Sequence, residues 1–186
     1  MAPSVLITGA SQGGIGDYLA QDFLKRGFKV FATARDLSKV EHLKELGITI
    51  VKLDVTSLES VKAAAKEVEA SSGGRLDVLV NNSGAGTCIP HLPTHRFYVV
   101  SAADICFLCL STAYSMPVLD TDIHVAKDMF EVNYFGVLRV TQEFSALVIA
   151  ARGKILNISS IVGEFPNSFT SKSRDYPLIP GSRTRS

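Results

Sequence analysis

The sequence predicts an α/β fold: a doubly wound parallel sheet with helices on both faces, incomplete at about five strands. Short apolar runs alternate with helical periods three times before residue 84. A cluster of glycines joins the first apolar run to the first helical period. A further apolar run closes a long helical period near residue 154. Strands that alternate with helices need crossover connections, and right-handed crossovers lay a parallel sheet between two helical layers.

The elements follow in order. Ser4 to Thr8 is an apolar run ended by Gly9, the pattern of a buried strand. Asp17 to Arg26 places Leu19, Ala20, Phe23 and Leu24 at helical spacing, and Gly27 stops it. Phe28 to Thr33 is the second strand. Leu37 to Leu46 is the second helix, with Val40, Leu43 and Leu46 on one face and Gly47 as its stop. Ile48 to Leu53 is the third strand. Ser57 to Ala70 is the third helix, with Ser57 the expected N-cap and Ser60 the weaker choice. Leu76 to Val80 is the fourth strand and runs into Asn81-Asn82-Ser83-Gly84.

The pattern then stops. Residues 87 to 113 show neither a helical period nor the turn chemistry of a βα unit. Order returns with Val125 to Ala151, which carries Met129, Val132, Leu138 and Val140 at helical spacing. Lys154 to Ile158 is the fifth strand. Beyond Gly163 the chain is rich in Ser, Pro and Arg. The expected organisation is one domain over 1–163, interrupted by an insert at 87–113, and an irregular, disordered tail over 164–186.

Bulk properties narrow the function. The 186 residues can bury one substantial core. The net charge of +1, without a clustered basic surface, gives no reason to expect nucleic acid as a partner. The three cysteines are Cys88, Cys106 and Cys109. Cys106 and Cys109 have CxxC spacing, but no second pair completes a zinc site, so no metal is expected. No signal-peptide pattern opens the chain. The apolar stretch Phe97 to Ala113 carries Asp104. It is short of the roughly 20 residues that span a bilayer. A cytoplasmic protein without an integral membrane span is the expectation.

The glycine cluster Thr8-Gly9-Ala10-Ser11-Gln12-Gly13-Gly14-Ile15-Gly16 carries the chemistry. A helix N-terminus offers unpaired N–H groups and the positive end of the helix dipole. A pyrophosphate can dock there if no side chain blocks it. In the logic of a Rossmann turn, Gly9 permits the bend, Gly14 lets backbone approach phosphate, and Gly16 packs the helix on the strand. No Lys-Ser/Thr follows the glycines, so this is not a P-loop. The second strand ends at Ala34-Arg35-Asp36. A basic residue there suits a 2′-phosphate, so Arg35 favours NADP over NAD.

Five segments together resemble the short-chain dehydrogenases/reductases. They are the glycine cluster, Leu53-Asp54-Val55-Thr56, Asn81-Asn82-Ser83-Gly84, Asn133 within Phe130 to Gly136, and Asn157-Ile158-Ser159-Ser160 ahead of Gly163. The resemblance implies a Rossmann-type fold and cofactor contacts from Gly9, Ser11, Gln12, Gly14, Ile15, Gly16, Arg35, Asp54 and Asn81. It implies Ser160 as the catalytic serine, with Ser159 the runner-up, and Asn133 as support for a water-linked proton relay. The spacing of the glycines and the run Tyr114 to Asp120 are similar to fungal NADPH-dependent 1-acyldihydroxyacetone phosphate reductases. The implied reaction is reduction of a small-molecule ketone by NADPH, with a Tyr as general acid activated by a Lys. Peripheral association with endoplasmic reticulum or lipid droplets would follow from the same resemblance. Oligomeric state is left open.

The Tyr-x-x-x-Lys pair of that family is absent. Ser173 and Pro177 stand where its members belong, and Tyr176 has Pro180 in place of the Lys. Residues 87–113 are a second departure. Gly86-Thr87 and Gly163-Glu164 can each be encoded across a splice-donor sequence, so translated introns would account for both departures. The sequence therefore leaves two readings: a reductase whose 186 residues turn over little substrate, or a non-catalytic dinucleotide-binding or defective product.

Overall fold

In the computed structural model, residues 2–85 and 121–159 are described. The insert 87–113 with its cysteines, the run Tyr114 to Asp120, Ser160 and the tail 164–186 lie outside them. The chain divides into two compact units, Met1–Ala85 with Lys127–Ile158, and Gly86–Ala126 with Ser159–Ser186. The first unit holds the sheet. Of the second, residues 121–126 and 159 are described. There the Asp122 carboxylate accepts the His124 N–H at 2.7 Å and its carbonyl accepts the Ala126 N–H at 3.0 Å, opening a helix.

The elements run β1 (Ser4–Ile7), α1 (Ile15–Lys25), β2 (Lys29–Ala34), a 3-10 turn (Leu37–Val40), α2 (His42–Glu45), β3 (Thr49–Lys52), α3 (Leu58–Ser72) and β4 (Val78–Asn81). From Ile123 onward come α4 (Ile123–Phe130), a π-helical turn (Glu131–Phe135), α5 (Gly136–Ala151) and β5 (Lys154–Asn157). The five strands form one sheet in the order β3-β2-β1-β4-β5. All four pairings are parallel, with Leu6 opposite Phe31 and Leu79, and Asn81 opposite Asn157. The expected α/β, doubly wound parallel sheet is what the chain forms.

Strand alternation explains the two layers. Successive side chains of a strand point to opposite faces. Leu6, Phe31 and Leu79 therefore join Val61, Val68, Val140, Phe144 and Leu147 of α3 and α5 in one apolar core. Val5, Ile7, Val30 and Ala32 face the other way and pack with Ala20, Val40 and Leu43. Both faces are covered, as a parallel sheet requires. At the rim, β5 pairs with β4 alone among the described residues, and its four residues are exposed.

Three sequence expectations are corrected. The second helix is not continuous: a 3-10 turn capped by Asp36 gives way to a one-turn α2, and Leu46 is 48% exposed while Val40 and Leu43 are buried. Two buried residues anchor so short a segment, which leaves the third outside. The helix placed at 125–151 starts at Ile123 and is broken by the π-turn, which rotates Leu138 outward. Helix α1 begins at Ile15, earlier than the apolar period alone suggests, because glycines carry no period. Ser57 caps α3 as expected, its hydroxyl accepting the Ser60 N–H at 3.2 Å.

Phe144 is fully buried between α5 and the sheet. Phe144→Ala is expected to cost about 3–5 kcal/mol. Leu46→Ser is expected to cost under about 0.5 kcal/mol, as an exposed position should. Urea denaturation monitored by circular dichroism checks both.

Candidate functional site

The candidate residues gather at the carboxyl ends of the strands. The strand order reverses between β1 and β4, which opens a crevice outside their carboxyl ends. The glycine turn follows β1 at that point, Arg35 follows β2, Asp54 lies just past β3, Asn81 ends β4, and Asn157 ends β5.

Two residues stitch the crevice floor together. Thr8 Oγ1 accepts the N–H groups of Asn82 and Ser83, each at 2.9 Å. Asn82 Nδ2 donates back to the carbonyls of Thr8 and Gly9, each at 2.9 Å. Gly9 adopts φ +68°, a left-handed conformation that suits glycine, and a Cβ there would lie 3.0 Å from Ser83 Cα. A Cβ on Gly16 would lie 2.6 Å from Asn82 Nδ2 and from the Gly9 carbonyl. Helix α1 thus approaches the strand ends more closely than any side chain allows.

Within the turn, Gln12 N–H donates to the Lys39 carbonyl at 2.8 Å and Gly14 N–H to the Ser11 carbonyl at 3.0 Å. Gly14 is the N-cap of α1 and offers no side chain to cap it. The N–H groups of Ser11, Ile15 and Gly16 make no hydrogen bond among the described residues. Such free donors at a helix N-terminus can receive an anion. The Ile15 side chain is 61% exposed.

Beneath the turn lies Asp17, 4% exposed. Burial is the strongest influence on its carboxyl and pushes the pKa up. Hydrogen bonds from His42, from Gly13 N–H and from Gln21 together outweigh it and hold the pKa below its ordinary 3.8. Asp54 is similar: burial pushes its carboxyl up, and the N–H and hydroxyl of Thr56, with Arg35 and Arg139 nearby, bring it below the ordinary value. Arg35 is exposed on the surface side of this rim.

The β4 side is equally tied. Asn81 is buried, and its Nδ2 donates to Thr141 Oγ1 at 3.2 Å and to Asn157 Oδ1 at 2.9 Å. Asn133 sits in the π-turn and clasps Ala85 beyond β4, accepting its N–H at 2.8 Å and donating to its carbonyl at 3.1 Å. π-turns often mark functional sites because they re-aim one side chain. Arg139 holds this helix to the β3 side through the Val55 carbonyl at 2.7 Å and also pairs with Glu131 of the π-turn. Ser159 is exposed, and Ser160 lies outside the described residues. Among the described residues no cluster of His, Cys, Asp and Glu could hold a metal, and no helix is long and apolar enough to cross a membrane.

Sequence reasoning missed Asp17 and gave Thr8 and Asn82 no role. A Thr ending a strand before a glycine and a carboxylate in the first turn of a helix are ordinary by themselves. Their importance comes from partners some 25 to 75 residues away in the chain, as in the Asp17–His42 and Thr8–Ser83 contacts.

The family profile described as short chain dehydrogenase matches residues 3–172. This chain belongs to the short-chain dehydrogenase family. Short-chain dehydrogenase PC-15 of Penicillium crustosum is 44% identical over 162 residues, which are 87% of this chain and 50% of that protein. An NADPH-dependent 1-acyldihydroxyacetone phosphate reductase of Schizosaccharomyces pombe is 36% identical over 165 residues, 89% of this chain and 47% of that one. A solved structure of ElxO with NADP bound superposes with a TM-score of 0.70 at 26% identity, covering 91% of this chain and 60% of the other. The chain spans about half the length of these curated relatives.

Two measurements probe this geometry. The atoms facing Gly16 are mostly backbone and cannot yield, so Gly16→Ala is expected to destabilise the fold by about 1–3 kcal/mol, read by thermal melting. Asp17 has a lower pKa folded than unfolded, so the folded chain binds its proton less readily. Its stabilisation is full above the ordinary value of 3.8 and is lost as pH falls through the folded value. Asp17→Asn is therefore expected to be less stable than the parent at neutral pH by about 1–3 kcal/mol. The two should converge in acid, as a urea-denaturation series against pH will show.

Proposed function

We propose that this chain binds NADPH as the cofactor-binding portion of a short-chain carbonyl reductase, an oxidoreductase, whose substrate is a lipid-like ketone such as 1-acyldihydroxyacetone phosphate. The observation that carries the reading is that the N–H groups of Ser11, Ile15 and Gly16, at the switch point of the sheet, make no hydrogen bond among the described residues. They suit a pyrophosphate, and the close approach at Gly16 keeps side chains out of its way. The named reductase relative and the NADP-bound structural neighbour support the choice of cofactor.

One further feature favours the phosphorylated cofactor. Arg35 stands at the end of β2, where it can pair with a 2′-phosphate. The next residue, Asp36, is tied to the 3-10 turn through one carboxylate oxygen. Its Oδ1 accepts the Ser38 N–H at 3.1 Å and the Ser38 hydroxyl at 2.8 Å, capping the 3-10 turn.

The bound cofactor would supply the hydride. The chain's own residues would position it: Gly9 to Gly16 and Arg35 on the phosphates, Asp54 toward the adenine, and Asn81 at the floor. Ser160 would donate a hydrogen bond to the substrate carbonyl oxygen. Asn133, fixed against Ala85, would order the neighbouring backbone and a proton-relay water. The Tyr-x-x-x-Lys acid is absent from these 186 residues, so we expect nucleotide binding with little or no ketone reduction.

Fluorescence titration tests the reading. NADPH is expected to bind more tightly than NADH. Arg35→Ala should weaken NADPH about 10- to 100-fold, the worth of a charge-assisted hydrogen bond, and leave NADH nearly unchanged. An equal response to both nucleotides would remove Arg35 as the selector. NADPH oxidation with a ketone substrate, lost on Ser160→Ala, would overturn the expected inactivity.

A further inference from the structure

We infer that Asp17 and His42 are a positioning pair that holds the glycine turn open for the pyrophosphate. The inference rests on the nucleotide-binding reading and assigns that site its internal support. Among the described residues Asp17 is the sole charged side chain that is buried. Its Oδ2 accepts the Gly13 N–H at 2.8 Å. Its Oδ1 accepts from Gln21 Nε2 at 2.9 Å and stands 3.0 Å from His42 Nε2. An ionised carboxylate only accepts, so His42 Nε2 carries the proton and donates.

The arrangement solves a mechanical problem. Gln12-Gly13-Gly14 has little side-chain packing to hold it, and glycines are the most mobile residues in an unrestrained turn. A Cβ on Gly13 would meet nothing within 4 Å, so no packing restrains that point. Asp17 restrains it through the Gly13 N–H. By drawing that donor down toward the buried carboxylate, it leaves the Ser11, Ile15 and Gly16 donors uncommitted.

His42 ties the turn to the segment after β2. It lies on the one-turn helix α2, which has little strength of its own. A second bond, from Gln12 N–H to the Lys39 carbonyl, runs parallel to it. The segment that begins at Arg35 is thereby fastened to the turn at two points. Removing the imidazole should loosen the pyrophosphate end first. Arg35 itself lies next to β2, whose ladder to β1 and β3 fixes it separately.

Two ligands separate positioning from mere stability. NADPH spans both ends, whereas adenosine 2′-monophosphate reaches the Arg35 end and carries no pyrophosphate. We expect His42→Ala to raise the Kd for NADPH about tenfold, with stoichiometry unchanged and the Kd for adenosine 2′-monophosphate moved less than about twofold. His42→Gln keeps a donor near the carboxylate and should restore most of the NADPH affinity. Wild-type binding of NADPH that His42→Ala leaves unchanged overturns the pair's role and leaves the nucleotide site standing. Equal losses for both ligands, or a lowered stoichiometry that His42→Gln does not rescue, show a structural role only and overturn it too. A wild-type chain that binds neither nucleotide overturns the nucleotide-binding reading, and the pair's function with it.

Discussion

Helix α1 comes so close to the ends of β1 and β4 that no side chain fits between them. The absent Cβ of Gly16, opposite Asn82 Nδ2 and the Gly9 carbonyl, marks the point of contact. Everything at the crevice depends on this approach. It aims the N-terminus of α1 across the switch point of the sheet, where free N–H groups and the positive end of the dipole coincide. Thr8 and Asn82 hold the two strand ends at the spacing that makes the approach feasible. One threonine hydroxyl and one amide thus connect a sequence motif near residue 9 to another near residue 82.

The charges around the crevice are arranged by the same economy. Three carboxylates lie near it, and each is held by local donors: Asp17 by Gly13, Gln21 and His42, Asp36 by Ser38, and Asp54 by Thr56. All three have lowered pKa values, so they stay ionised at neutral pH. Arg35 is an exposed cation just past the end of β2. The second half of the site is built by a different device. The π-turn at Glu131–Phe135 places Asn133 against Ala85 and holds the segment that leaves β4, while Arg139 anchors the same helix to the β3 side.

Much of the fold was legible in the sequence because apolar periodicity reports burial directly. The strands at Ser4, Thr49 and Lys154 lie inside the runs that predict them, and those at Lys29 and Val78 extend one residue past theirs, to Ala34 and Asn81. The misplaced features share one cause. Leu46 and Leu138 fit a helical period, but period says nothing of helix continuity, and breaks at Glu41 and at the π-turn changed which side they face. The glycine turn was legible because glycines at a strand-to-helix junction have few uses. Asp17 was not, because a first-turn carboxylate usually serves only the helix dipole.

The sequence by itself determined the parallel sheet, the turn after β1 and the basic end of β2, since each follows from local pattern and chain stereochemistry. It also carried the family's motifs in order and showed the missing Tyr-x-x-x-Lys. Tertiary structure decided which N–H groups of the turn stay free, which carboxylates are committed, and that Asn133 grips Ala85. Those outcomes depend on groups distant in the chain and near in space. A hydrogen bond is won by whichever donor the packing brings within reach, and no local pattern states which one that is.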